Sequence, residues 1–276
     1  MYVSSVQNRL LALGRLAVIV VAGSAVAMLG LLLFRAVMPL DSLRAASNGM
    51  GNYLQTLGGI YAVLLAFVVT TVWQQFDVAR GHVDREAAAL VDLHRTASGL
   101  PPTTRDLIQQ GLRAYTEAVL NDEWPAMARR DEEAMTRVGE RLDEVWLAIH
   151  RCQTVNDCQN TIYGEVLSRF NDLTDVRTSR LTTSRQRIPM PMRVLLFAGA
   201  VILIVSTYMM IFDPLWIHLA VVGAMSGAVV HILYLIVDLD DPFAGRYVLG
   251  KAPYERARTA FERSAHLVDS DHVAAA

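Results

Sequence analysis

The side chains able to do chemistry in this sequence are few, and their spacing argues against catalysis. His218 and His231 lie in one apolar stretch, thirteen positions apart. On a helix that is roughly 140° around the axis and about 20 Å along it, too far for a shared proton or metal. His218 falls near the edge of the stretch. His231, beside Tyr234, reads either as a packed, neutral, hydrogen-bonded ring or as a proton relay. Asp238, Asp240 and Asp241 crowd together before Pro242-Phe243-Ala244-Gly245. A calcium loop spreads its oxygens over about 12 residues and ends in a bidentate Glu, which Arg246-Tyr247-Val248 does not supply. The alternative is a structural cap in which the carboxylates pair with arginines, Pro242 stops the helix and Gly245 is free to take positive φ. Cys152 and Cys158 flank a short connection, are expected as free thiols, and have no zinc-site partners. No nucleophile elbow, phosphate loop, zincin sequence or dinucleotide fingerprint occurs, so no enzyme activity, cofactor or metal is expected.

The elements that would position these residues follow from where charge is missing. The chain has 276 residues, is 53% apolar and 19% charged, and has a mean hydropathy of +0.30, too apolar for an ordinary soluble protein. A net charge of -2 provides no basic field for nucleic acid. Arg supplies all the basic residues except Lys251, a global bias without local meaning. Charge is absent from 16–34, 45–76, 194–212 and 214–237. A hydrocarbon core of about 30 Å needs roughly 20 helical residues, so spans are expected near 16–35, 54–75, 193–212 and 215–237. Arg9 and Arg15 before the first run also fit a signal peptide, but the run continues to Phe34, longer than a typical signal core.

Residues 77–188 are rich in Arg, Asp and Glu, the composition of a soluble domain. Arg80, Arg85, Arg185, Arg187 and Arg193 flank it, and Arg9 and Arg15 precede the first span, whereas the opposite side has only Arg35 and Arg44. Positive charge on the inner side then puts both termini and this domain in the cytoplasm of a cell with its inner membrane spanned four times. The outer connections would be a 36–53 loop rich in Ser, Asn and Gly and a tight Phe212-Asp213-Pro214 turn. Val83, Ala87, Leu90, Val91 and His94 form a helical stripe that can continue the second span to just before Pro101-Pro102. Further helices are expected from Thr103 and Thr104, as caps, to about Asn121, over 126–150 and over 157–186, with a frayed tail from Asp269 to Ala276. The expected fold is all-α, divided at 1–76, 77–188, 189–237 and 238–276.

The second span has two characters. Gly58, Ala62, Ala66 and Thr70 recur every four residues as a smooth face for close helix packing, while Ile60, Val63, Leu64 and Phe67 project bulk elsewhere. That bulk either meets lipid and neighbouring helices or lines a pore whose apolar constriction gates by dewetting. Thr70, Thr71, Gln74 and Gln75 suit a wet vestibule, or simply an interfacial helix end with Trp73 in the aromatic belt.

Two strings carry a family resemblance: Leu64-Leu65-Ala66-Phe67, continuing through Trp73 and Phe76 to Ala79-Arg80, and Leu239-Asp240-Asp241-Pro242-Phe243-Ala244-Gly245. They resemble the bestrophin-like family of bacterial membrane proteins and, more distantly, the bestrophin anion channels; Leu90-Val91-Asp92-Leu93-His94-Arg95 is similar to the following helix there after a shift of one turn. The resemblance implies a homopentamer with a central anion pathway. Its neck would fall at Phe67 and Val63, with Gly59 at the next turn and Ile60 adjacent to replace the missing bulk. Val68-Val69 stands where bestrophins commonly have a polar or basic residue, which weakens a charge-based anion preference. Arg246-Tyr247-Val248-Leu249-Gly250-Lys251 replaces the acidic calcium-binding cluster of animal bestrophins, so calcium gating is expected to be absent. Expected partners are the lipid bilayer, further copies of the chain and small inorganic ions. The rival reading is a non-conducting membrane scaffold or sensor acting through its helical cytoplasmic domain.

Overall fold

The computed structural model describes residues 2–245 and 247–274, with side chains for 14–39, 50–245 and 247–264. The side chains of Arg9, Arg44 and Asp269, and all of Arg246, Ala275 and Ala276, lie outside the described residues. Regular structure among the described residues is helical: α1 (Tyr2–Val37), α2 (Leu40–Thr96), α3 (Pro102–Ala118), α4 (Trp124–Arg129), α5 (Glu132–His150), α6 (Asp157–Arg185), α7 (Met190–Tyr208), α8 (Leu215–Leu239) and α9 (Ala252–Ala274). Among the described residues, four stretches are long and apolar enough to cross a bilayer; they lie in α1, in α2, in the chain that ends in α7, and in α8. The chain divides into two compact units, one of Met1–Gln74 with Arg187–Asp240 and the other of Gln75–Gln186 with Asp241–Ala276.

Several boundaries differ from expectation. The 36–53 stretch is not an outer loop, because α2 begins at Leu40 and runs unbroken for 57 residues. Only Met38-Pro39 interrupts the chain, where the proline disfavours helix at the residue before it; Ser, Asn and Gly beyond it are weak helix formers that the long helix nonetheless includes. Thr103 and Thr104 do not cap α3. It starts at Pro102 without a side-chain cap, because the N-cap position is held by Pro101, which has no side-chain acceptor, while Pro102 suits the first helical position with its preset φ. The expected 126–150 helix is broken at Arg130, which adopts a left-handed conformation (φ 59°) between α4 and α5. Asp131 then caps α5 by accepting from the Ala134 amide at 3.0 Å. Asn156 caps α6 in the same way, accepting from the Gln159 amide at 2.8 Å. A π-helical turn, Val119–Glu123, joins α3 to α4. α7 ends at Tyr208, earlier than expected. The backbone from Asp269, expected to fray, is helical to Ala274.

In the membrane unit, α1 and α8 cross closely. A Cβ on Gly23 would stand 2.8 Å from Val230, and one on Gly227 would stand 2.9 Å from the Ser24 Oγ. Small residues here let backbones approach where bulk would separate them. Tyr208 of α7 closes the pair with α1, its hydroxyl donating to the Ala27 carbonyl at 2.7 Å.

The second unit has the larger core. Leu90, Leu93, Ile108, Leu112, Val145, Ile149 and Leu173 are fully buried there, together with Phe243, Tyr254 and Phe261 from the C-terminal segment. The buried residues of α2 in this unit, Ala79, Val83, Glu86, Ala87, Leu90, Leu93 and His94, keep helical spacing and form one inward stripe. The sole lysine, Lys251, donates to the Leu120 carbonyl at 2.6 Å, tying the start of α9 to the π-helical turn.

Candidate functional site

Within the membrane unit, α2 turns one face inward and leaves the opposite face bare. Tyr61, Leu65, Val68 and Val72 are buried at spacings of four, three and four, the period of one helical face. Tyr61 reaches α7, where its hydroxyl donates to the Leu196 carbonyl at 2.9 Å. Val68 therefore points into the protein and is not on the face of Phe67. On that outward face Ile60 is 66% exposed, Val63 57% and Phe67 70%, and Gly59 beside Ile60 is also exposed. Such exposure of large apolar groups marks a surface that meets lipid, another copy or a pore. The smooth face is little used inside one chain: a Cβ on Gly58 would make only an ordinary contact, 3.8 Å from Leu203, and Ala62, Ala66 and Thr70 are exposed.

One turn beyond Phe67 the surface changes from apolar to polar. Thr70 and Thr71 are exposed and donate to the Ala66 and Phe67 carbonyls, each at 2.9 Å, which leaves their oxygen lone pairs facing outward. Gln74 is exposed on the same side. The stripe therefore combines an uncharged, water-repelling section with a wettable section, the arrangement required of a constriction opening into a vestibule.

The acidic turn is occupied by structural contacts. The Asp240 carboxylate accepts from the Ile188 amide at 2.7 Å and from Arg193 at 2.9 Å. Asp241, in the other unit, pairs with Arg130 at 3.2 Å and accepts from the Ala244 amide at 3.2 Å. Phe243 is buried edge-on against Trp124, with ring centroids 5.4 Å apart, and the Leu249 amide closes the turn onto the Pro242 carbonyl at 2.9 Å. Gly245 does not take positive φ, as no described glycine does; the turn is held by its hydrogen bonds instead. Among the described residues no group of three His, Cys, Asp or Glu side chains gathers as a metal site.

The Bestrophin-like domain profile matches residues 21–254. The chain belongs to the bestrophin-like family. No curated protein matches it. Similar solved structures include two variants of a bacterial bestrophin homologue from Klebsiella pneumoniae. One is 16% identical with a TM-score of 0.63, covering 90% of this chain and 98% of that one. The other is also 16% identical at 0.63, covering 92% and 99%. A crystal structure described only as a membrane protein is 16% identical with a TM-score of 0.65 over 90% and 96%. At these identities the structures speak for the fold, which is thus the all-helical, multi-pass membrane fold of bacterial bestrophin homologues.

The bestrophin-like chain also has a buried ionic cluster that its sequence did not disclose. Arg180 of α6 is fully buried. Its Nε meets Glu86 at 2.6 Å and one Nη meets Glu123 at 2.5 Å, while Arg177 reaches the other Glu123 oxygen at 2.5 Å. The Tyr115 hydroxyl donates to Glu86 at 2.6 Å. Burial alone would lower the Arg180 pKa, but Glu86 and Glu123 more than reverse this and hold it well above the ordinary value. Burial, then the same carboxylates, pushes the Tyr115 hydroxyl well up. The π-helical turn ends at Glu123 and so helps deliver its carboxylate to Arg180. A signal was present: Glu86 falls three residues after Val83, on the inward stripe of α2.

The histidines of the bestrophin-like chain reverse expectation. His218 is fully buried rather than a simple edge residue; its Nε2 donates to the Thr207 carbonyl at 3.0 Å, so Nδ1 accepts from Arg35 at 2.9 Å. His231 is exposed and makes no hydrogen bond with the described residues, contrary to the packed, bonded ring expected. Cys152 is half-buried, Cys158 is exposed, and both thiols are free.

Proposed function

We propose that copies of this chain assemble as a pentameric ring around α2 and conduct small anions of chloride type through a neck formed by Phe67, Val63 and Ile60, with Gly59 at its far end. The observation that carries this reading is the outward apolar stripe: these residues are exposed on the face opposite the packed one, and the polar Thr71 and Gln74 follow. Membership of the bestrophin-like family supports the ring. An uncharged apolar constriction gates by dewetting and makes each passing ion shed water. In this reading the protein sits in the inner membrane with both termini and residues 77–188 in the cytoplasm, as the Arg distribution suggests. Asp240, Asp241, Pro242, Phe243 and Gly245 act as a structural clasp.

The test is halide flux from vesicles holding purified protein, together with its oligomeric mass in detergent. Phe67→Ala and Val63→Ala should each raise the flux several-fold by widening an apolar gate. Unchanged flux in both would remove the neck from these residues. A monomeric or dimeric mass would remove the ring, and the scaffold reading would replace it.

A further inference from the structure

The long helix α2 keeps the phase of its faces along its length. Within the membrane unit it buries Tyr61, Leu65, Val68 and Val72; within the second unit it buries Ala79, Val83, Glu86 and Leu90, each eighteen positions later. Eighteen residues make five turns at about 3.6 residues per turn, so the buried face returns to the same side of the helix, and the bare face opposite returns with it. Shifted by the same five turns, Ile60, Val63 and Phe67 become Val78, Gly81 and Arg85. Val78 and Arg85 are exposed, and Gly81 is half-buried. The place that Phe67 takes on the bare face is therefore taken by Arg85 further along.

No other charged side chain of α2 between Leu54 and Thr96 shares that line. The nearest, Asp77 and Arg95, lie about 80° away around the helix, and Arg80 lies about 140° away. The acids adjoining Arg85 in sequence are both engaged elsewhere: Glu86 turns inward to Arg180 at 2.6 Å, and Asp84 meets Arg256 of α9 at 3.5 Å. Arg85 itself enters no ion pair or side-chain hydrogen bond among the described residues. Its guanidinium folds back one turn over Gly81, where a Cβ would stand 3.6 Å from an Nη. An arginine stays protonated at any working pH, so the stripe carries one fixed positive charge. The apolar side chains of Ile60, Val63 and Phe67, and Val68-Val69 after them, hold no charge with which to tell an anion from a cation.

We infer that Arg85 is the residue that sets anion preference: each copy in the ring contributes its guanidinium to a cationic collar beyond the polar section at Thr71 and Gln74, and the collar gathers chloride-like anions and repels inorganic cations. Rings of Arg or Lys suit anion pathways because a field of one sign, focused between low-dielectric walls, raises the local concentration of the opposite ion. The collar presupposes the pore reading above, in which α2 faces the axis, and it supplies the sign preference that the neck lacks.

The test is the reversal potential of the full-length protein in planar bilayers under a sodium chloride gradient, which gives the chloride-to-sodium permeability ratio. Arg85→Gln should lower that ratio several-fold, Arg85→Glu should lower it further, and Arg85→Lys, which keeps the charge, should preserve it. Arg80→Gln removes an equally exposed cation from another side of the helix and should leave the ratio as in the wild type. The loss in Arg85→Gln should shrink as salt is raised, because the screening length falls from about 10 Å at 0.1 M to about 3 Å at 1 M. A wild-type ratio in both Arg85→Gln and Arg85→Glu would overturn the assignment, and so would an equal fall in Arg80→Gln. Current that responds to Phe67→Ala while the ratio ignores Arg85 would leave the neck standing and remove the collar alone. Absence of any current from the wild type would remove both.

Discussion

The ring of Tyr61 occupies the space that a side chain on Gly199 would take: a Cβ there would stand 2.7 Å from the ring edge. The absence of that Cβ lets α2 and α7 approach until the Tyr61 hydroxyl meets the Leu196 carbonyl, and it sets which face of α2 is left outward. Gly199→Val should cost about 1–3 kcal/mol through overpacking, whereas Tyr61→Phe should cost only about 1 kcal/mol, the net worth of a hydrogen bond. Thermal midpoints in detergent would check the ranking, and equal midpoints would contradict it. Halide flux in Gly199→Val should change as well, because the neck proposed at Phe67 and Val63 would rotate with the helix.

Arg180 holds two carboxylates in a fully buried setting, so removing it strands charge instead of merely losing a contact. Arg180→Met is expected to destabilise the protein by about 3–5 kcal/mol. Arg137→Ala, which breaks an exposed pair with Glu133, should change stability by no more than about 0.5 kcal/mol. Denaturation followed by near-ultraviolet dichroism would separate the two, and a mild Arg180→Met would show that the cluster is dispensable.

His94 is buried and stacked on Phe261 of α9, with centroids 4.5 Å apart, and Arg113 stands 3.5 Å from its Nε2. Burial, then the charges of Arg113 and Arg95, pushes its pKa down to about 4 from 6.5. The folded state therefore binds the proton less readily than the unfolded chain. Its contribution is fully present above pH 6.5 and is lost as the pH falls from 6.5 towards 4, by up to about 3 kcal/mol. His94→Leu should flatten the stability profile in that window. A variant with the wild-type slope would assign the acid sensitivity elsewhere.

Asp240 accepts from both the Ile188 amide and Arg193, so Asp240→Ala leaves a buried amide and a guanidinium without their acceptor. A loss of about 1–3 kcal/mol is expected, and Asp240→Asn should recover part of it by keeping one acceptor for the amide. Calcium should have no effect on either variant's thermal midpoint, since the carboxylate is engaged by protein groups. A calcium-dependent rise in the wild type would reverse that assignment.

The sequence alone determined the parts of this protein that depend on local pattern. The four charge-free runs marked the membrane spans because a charge in hydrocarbon is expensive wherever it sits. The Val83-Ala87-Leu90-His94 stripe showed that the second span continues as a helix, because 3.6-residue periodicity is a property of one segment. The Leu64–Arg80 string and the Asp-Asp-Pro-Phe turn were enough to point to the family. Only the tertiary structure decided which groups meet across the chain. Glu86 and Arg180 are 94 residues apart, and neither position says that the other is its partner. His218 and His231 occupy the same apolar stretch and look alike in sequence, yet Arg35 and Thr207 enclose one while α1 and α8 leave the other at the edge of a groove. Hydrophobic periodicity reports that a helix has a buried face, but the partner on that face is chosen by steric fit between distant segments, such as Tyr61 against Gly199, and no local pattern encodes that fit.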